Sequence, residues 1–305
     1  MENLLNYYSV LLRRAIGEHK ELEKLNSMYQ TLSAGAIGEK RVLYSLKELD
    51  FPHLIINNFT SRNLAGNSVQ IDIIFICKHF VFILEVKNIT GRIDFDDKRR
   101  QFIRTQLDGR VESFMNPVDQ VIRHKQLVEN IFIGTPDFIP IEAAVVIANH
   151  STVIGRISSE IPIFNVSGLR HVITELKKKY EHISLNMRKV QQLLMSKYIE
   201  RPFVRPTFNV TIRAGVLCTD CNEVMPHTAR GFKCLRCGKY DAGDQCLHQA
   251  LADYCVLYGK TISNRDFRRW VGVKDPSTAR KIMKRLQLPM NGKYRGAHYL
   301  LKQLE

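Results

Sequence analysis

The chain lacks any stretch of 18 apolar residues, so a membrane-spanning helix is not expected. Its opening, Met1-Glu2-Asn3-Leu4-Leu5-Asn6, has neither a basic leader nor a small-residue cleavage site, which argues against a secretory signal. Internal repeats and low-complexity tracts are missing too, so neither a solenoid nor a tail of biased composition is expected. Acid is the scarcer charge: 30 Asp and Glu stand against 45 Lys and Arg, a net of +15. The imbalance sits late, with 19 basic and 8 acidic residues from 201 onward, a net of +11. The first 200 residues carry only +4. That distribution points to an acidic polymer as partner, and to nucleic acid before a membrane, because no anchoring pattern accompanies it. The plainer alternative is a soluble basic protein. Seven cysteines include two CxxC pairs, which in an unexported chain favour metal over disulfides and place the protein in the cytoplasm.

A length of 305 residues suggests two or three domains. The apolar runs Gln70–Ile76 and Phe80–Val86 are separated only by Cys77-Lys78-His79 and read as a β-hairpin buried on both faces. Asp72 lies in the first run and Glu85-Val86-Lys87 ends the second, with Glu85 and Lys87 on one face and Val86 on the other. Charges this close to a core need partners or a function. Before the hairpin, the pattern suggests a helix over residues 1–33 and a second from Ala36 to Leu49, whose buried stripe carries Glu39. Gly35 and Gly38 would let that helix approach a sheet closely. A strand near His53–Phe59 and a polar loop to Ser68 follow. Further strands are expected at Gly91–Ile93, Gln101–Thr105 and Arg110–Phe114, the last two turned at Asp108-Gly109. Asn116-Pro117 opens a helix reaching Ile131. Strands at Ile141–Ala148 and Ile161–Val166 and one charged helix over Glu175–Tyr198 complete the region.

Phosphodiester hydrolysis needs an activated water and neutralised charge, and a divalent ion supplies both. Mg²⁺ takes one or two protein carboxylates and keeps waters. Asp72 and Glu85 suit that need, with the Val86 carbonyl as a neutral oxygen. Lys87 would orient the attacking water or offset developing charge, and Glu39 would add a ligand or orient the water. Taken singly, Asp72 could be a strand-end acid paired with Arg, and Lys87 a side chain reaching for solvent. Together, Gly38-Glu39, Gln70-Ile71-Asp72, Glu85-Val86-Lys87-Asn88 and Asn116-Pro117-Val118-Asp119-Gln120 resemble the restriction-endonuclease-like core, and more closely the nuclease-related domain family, NERD, over about residues 34–150. The resemblance implies an α/β core with a mixed central sheet flanked by helices and a Mg²⁺- or Mn²⁺-dependent cut in DNA. It makes Asp72, Glu85 and Lys87 the catalytic set, with Glu39 and Gln120 in support. Related nucleases often carry Tyr one turn after this Gln, where the present chain has His124.

Cys218-Thr219-Asp220-Cys221 and Cys234-Leu235-Arg236-Cys237 are twelve residues apart, the spacing of a closed Cys₄ structural Zn²⁺ site, similar to topoisomerase-type zinc ribbons. Beyond it, two short helices around Val271-Gly272-Val273 resemble a helix-turn-helix with a wing from Gly292. Arg280, Lys281, Lys284 and Arg285 face outward from the second helix, and Lys293 and Arg295 lie on the wing, all placed to meet phosphates; the alternative is a solvated basic helix. The expected organisation is an N-terminal helix (1–33), a nuclease-like domain (34–200), a linker (201–214), a zinc ribbon (215–240) and a mostly helical, winged helix-like domain (241–305). The expected activity is metal-dependent DNA endonuclease, acting on double-stranded DNA in processing or defence, in a homodimer if both strands are cut. Alternatives are a non-catalytic nucleic-acid-binding protein, an RNA nuclease, or a regulator bound to protein through the ribbon.

Overall fold

The computed structural model describes residues 2–229, 231–241, 244–292 and 297–301. The chain forms two compact units, residues 32–202 and residues 1–31 with 203–305. It opens with α1 (Glu2–Arg14), β1 (Ala15–Ile16) and the 29-residue α2 (His19–Lys47). The break therefore falls ahead of Gly17, not near residue 33, and neither Gly35 nor Gly38 interrupts α2. A glycine inside a helix costs only about 1 kcal/mol relative to alanine. That is too little to end a helix whose following turns bury Val42 and Leu46.

The unit 32–202 continues with β2 (His53–Arg62), β3 (Ser68–Cys77), β4 (Val81–Lys87), β5 (Arg92–Asp96), β6 (Gln101–Thr105), β7 (Val111–Met115), α3 (Pro117–Ile131), β8 (Ile141–Ile147), β9 (Val153–Ile154), β10 (Ile163–Asn165), α4 (Leu169–Lys179) and α5 (Met187–Ser196). β2, β3 and β4 pair antiparallel, while β8 lies parallel to β4 from Val81–Ile141 to Lys87–Ile147. β10 extends β8 in parallel, so the five-stranded sheet β10-β8-β4-β3-β2 is mixed, as expected. One face packs Val42 and Leu46 of α2 and Ile173 of α4 against Ile73, Phe75 and Leu84. The other packs Val121 and Val128 of α3 and Leu194 of α5 against Ile74, Ile83 and Val145. Being covered on both faces, β4 and β8 read as unbroken apolar runs.

A second sheet, β7-β6-β5-β9, adds Ile93, Phe95 and Phe102 to the α3 side of the core. Its β6–β7 turn sits at Asp108-Gly109 with Gly109 at φ +83°. Two expectations are corrected. β2 runs on through Thr60 to Arg62, paired to Ser68, which leaves a loop of only 63–67. The charged stretch before Tyr198 is two helices, because the Leu185 N–H bonds to the Lys78 carbonyl and Asn186 caps α5.

In the other unit, β11 (Thr211–Ile212) pairs with β1. β12 (Val216–Leu217) then pairs with β13 (Val224–Met225), and β14 (His227–Thr228), β15 (Gly231–Lys233) and β16 (Tyr240–Asp241) form a small sheet. Helices α6 (Gln245–Tyr258), α7 (Asn264–Val271) and α8 (Pro276–Arg285) surround β17 (Thr261–Ser263), β18 (Met290–Asn291) and β19 (His298–Leu300), which form the sheet β17-β19-β18. Helix α1 belongs to the same unit. Buried Arg14 donates from Nε to Asp253 Oδ2 at 2.6 Å and from Nη1 to the carbonyls of Arg213 and Gly215. Its guanidinium lies 4.4 Å from the Trp270 ring centre.

Candidate active site

The β3–β4 ladder is paired up to Ile73–Leu84, so Asp72 and Glu85 are the next residue on each strand. Asp72 Oδ2 accepts the backbone N–H of Val86 at 2.9 Å, tying this carboxylate between Glu85 and Lys87. Lys87 Nζ donates to Glu85 Oε1 at 2.6 Å and lies 3.4 Å from Gln120 Oε1. Val86 packs with the α2 side of the core, while Glu85 and Lys87 turn toward α3, the alternation expected of a strand. Gln120 arrives on α3, whose start is set by the Asn116 side chain accepting the Val118 N–H and by Pro117 in the first turn.

Glu39 reaches the acids from α2. A Cβ on Gly38 would stand 2.7 Å from Asn88 Cβ, and Asn88 donates to the Ala34 carbonyl at 2.7 Å, so this helix is pressed onto the end of β4. Gly35 has no such neighbour, and the close approach rests on Gly38 alone. Asn58, unremarked in the sequence, is the bridging residue. It sits at φ +54° on β2, between the Asn57–Ile73 and Phe59–Ile71 pairs. Its amide lies 3.5 Å from Glu39 Oε2, and its Oδ1 accepts from Gln70 at 2.6 Å. Asn tolerates this left-handed backbone better than other residues with a Cβ. The available signal is a polar Asn57-Asn58 pair inside an otherwise apolar strand.

Electrostatics mark the three acids as one group. Burial, then the nearby Asp72, raises the Glu39 pKa to about 7. Burial, then Asp72, raises Glu85 to about 7 as well, against the pull of Lys87. Asp72 is also raised by burial, in spite of the Val86 N–H and Lys87. Fully ionised, three carboxylates facing one ammonium would leave two uncompensated negative charges, which suits a divalent cation. The acids are not pre-gathered tightly: among the described residues, the four cysteines are the only group of three or more His, Cys, Asp or Glu with ligand atoms all within 4.8 Å. Beside the acids, Gln70, Gln120, Arg123 and His124 help line an open cleft of about 660 Å³. His124 is buried, and burial lowers its pKa to about 4.

The cysteine group has matched halves. Asn222 N–H bonds to the Cys218 carbonyl and Gly238 N–H to that of Cys234, and both residues adopt positive φ, 56° and 77°. Each knuckle thus turns through a left-handed residue, although only the glycine is conspicuous in the sequence. Sulfur pairs Cys218–Cys237 and Cys221–Cys234 lie 3.6 and 3.5 Å apart. Four thiolates around a tetrahedral ion at about 2.3 Å would be separated by roughly 3.8 Å, so the donor set fits a metal ion of zinc type.

On α8, Ala279, Ile282 and Met283 are buried and Arg280, Lys281, Lys284 and Arg285 are exposed. Asp275 caps the helix by accepting the Thr278 N–H, and Gly272 ends α7 at φ +77°. Arg285 is ion-paired with Asp244. Lys293 and Arg295 lie outside the described residues.

No solved structure matches the chain. An uncharacterised protein of Bacillus anthracis is 32% identical over 96 residues, covering 31% of this chain and 45% of that protein. The chain thus spans under half the length of this relative. No helix among the described residues is long and apolar enough to cross a membrane. Residues 34–148 match the family described as the nuclease-related domain, NERD, and that matched segment holds Glu39, Asp72, Glu85, Lys87 and Gln120.

Proposed function

We propose that the chain is a divalent-metal-dependent DNA endonuclease. The observation that carries this reading is the convergence of Asp72, Glu85 and Lys87. One carboxylate is bonded to the backbone between the other two residues, which are themselves 2.6 Å apart. Asp72 and Glu85 would hold the ion, with Glu39 completing an acidic wall. When bound, the ion supplies positive charge to the scissile phosphate and makes water nucleophilic at neutral pH. Lys87, held by Glu85 on one side and by Gln120 on the other, presents its remaining donor to the attacking water or to a phosphate oxygen. Exposed Arg123 on the cleft wall offers a cation to the polymer backbone.

The second unit would supply duplex affinity. Arg280, Lys281 and Lys284 project from α8, where a winged helix meets the major groove, and phosphate contacts there give grip without sequence choice. Zn²⁺ in the Cys₄ group would contribute directly to folding a segment too small for its own core. The test is cleavage of supercoiled plasmid by the full chain with Mg²⁺ or Mn²⁺, beside Glu85→Ala and Asp72→Asn. The expected result is metal-dependent nicking that falls by about two orders of magnitude or more in either variant. Binding without cutting by the wild type would leave a non-catalytic nucleic-acid-binding protein. Cutting of RNA in preference to DNA would reassign the substrate.

A further inference from the structure

Two buried atoms beside the acids have no hydrogen-bond partner: Glu85 Oε2 and His124 Nδ1. They face each other at 3.5 Å, with side-chain exposures of 2% and 5%. The other Glu85 oxygen is already taken by Lys87. Leaving one buried polar atom unsatisfied costs about 1–3 kcal/mol, and here two such atoms are adjacent. Helix α3 gives the imidazole little room to turn away, since Val121, Leu127 and Val128 lock its buried stripe and Asn116 fixes its first turn. With the imidazole neutral and its proton on Nε2, the carboxylate oxygen and Nδ1 both offer lone pairs, and a cation satisfies both. The other tautomer would satisfy them only through an Nδ1–H bond at 3.5 Å, the limit of hydrogen-bond length. Neighbouring ligands about 2.1 Å from one ion lie roughly 3.0–3.5 Å apart, depending on its geometry. The observed separation falls at the upper end of that span.

Building on the nuclease reading above, we propose that His124 is a direct nitrogen ligand of the divalent ion at Glu85. Asp72 is drawn in when the ion binds, since the ligand atoms of Asp72, Glu85 and His124 do not all lie within 4.8 Å of one another. The site in consequence favours a transition-metal ion such as Mn²⁺ or Co²⁺ over Mg²⁺. The chemistry is that of the donor set. Mg²⁺ is bound through oxygen and sheds its waters reluctantly, whereas imidazole is a good ligand for later divalent ions. Gln120, one turn earlier on the same helix, keeps to Lys87 and leaves the place beside Glu85 Oε2 to the ring.

The test uses the full zinc-loaded chain with Mn²⁺ as probe, read by electron spin echo modulation and by titration calorimetry. Wild type should show imidazole ¹⁴N coupling to Mn²⁺. His124→Gln should lose it and bind Mn²⁺ about tenfold or more weakly, the scale on which metal-site substitutions act, while Mg²⁺ binding changes less than about twofold. Glu85→Gln should abolish the coupled signal, which excludes an ion held by a surface histidine. Should His124→Gln fail to fold, the wild-type coupling and its loss in Glu85→Gln decide the matter alone. Bound Mn²⁺ without nitrogen coupling, or no Mn²⁺ bound near Glu85, overturns the proposal. These outcomes separate it from the nuclease reading. Plasmid cutting without ¹⁴N coupling sinks only the His124 ligand, and ¹⁴N coupling without cutting sinks only the hydrolase.

Discussion

At the scale of single residues, the informative fact about Glu39 and Glu85 is that the fold holds them where their charge is poorly tolerated. Both have pKa values pushed from an ordinary 4.5 to about 7 by burial first and by neighbouring Asp72 second. The sign follows from linkage. Between roughly pH 4.5 and 7 the unfolded chain releases protons that the native chain keeps, so these groups make stability fall as pH rises, and no further beyond about pH 7. Carboxyls held low, such as Asp94 beside the Arg156 N–H, act in the opposite sense at lower pH. The difference between wild type and variant is therefore the useful quantity. Glu85→Gln should lose less stability than the metal-free wild type over pH 4.5–7 and be the more stable of the two at pH 8, as urea unfolding at several pH values would show. A wild type and variant with parallel pH profiles would contradict the burial of a charge at this position. Asp72, Glu85 and Lys87 were legible because acids and an amine on apolar strands conflict with burial. Asn58 was not, because its importance comes from a backbone twist that no periodicity reports.

At the scale of elements, helix α2 and the Cys₄ ribbon each depend on a close approach. Gly38 lets α2 lie against Asn88, Val86 and Ala148, and only from there does Glu39 reach the acids. Gly38→Ala would raise helix propensity yet force a 2.7 Å contact apart. The expected outcome is a folded protein, destabilised by about 1–3 kcal/mol from overpacking, whose metal affinity drops as Glu39 is displaced. Circular dichroism and calorimetry together check it. In the ribbon, a strong chelator or Cys218→Ser should remove one tightly held zinc per chain and lower amide protection across 216–241, since metal binding is folding energy for such a module. Elemental analysis with hydrogen exchange reads both. Most boundaries of β3, β4, β8 and α3 could be anticipated because alternation, continuous apolar runs and an Asn-Pro cap are local signals. The split between α4 and α5 could not, since it depends on Leu185 bonding to the Lys78 carbonyl, a partner distant in sequence.

At the scale of the whole molecule, α1 is tied to Asp253, far along the chain, within one compact unit. Asp253 is buried and accepts from both Arg13 and Arg14, with Arg14 fully enclosed beside Trp270. Breaking a buried ion pair from one side leaves an uncompensated charge and costs about 3–5 kcal/mol. Asp253→Asn should therefore destabilise residues 203–305 and α1 together, seen as lost amide protection there, while the five-stranded sheet of 32–202 keeps its protection. Equal loss in both would show that the two units do not unfold separately. The sequence by itself determined the mixed α/β class, the strands carrying the acids, the two CxxC spacings and the basic C-terminal third, because each is written in local pattern, spacing or composition. Tertiary structure alone decided that α1 joins the distant C-terminal region, that Asn58 and Gly38 position Glu39, and that His124 confronts Glu85. Those relations are contacts between residues far apart in the chain, chosen by packing and by the need to pair buried charge, and one-dimensional order does not encode them in any readable form.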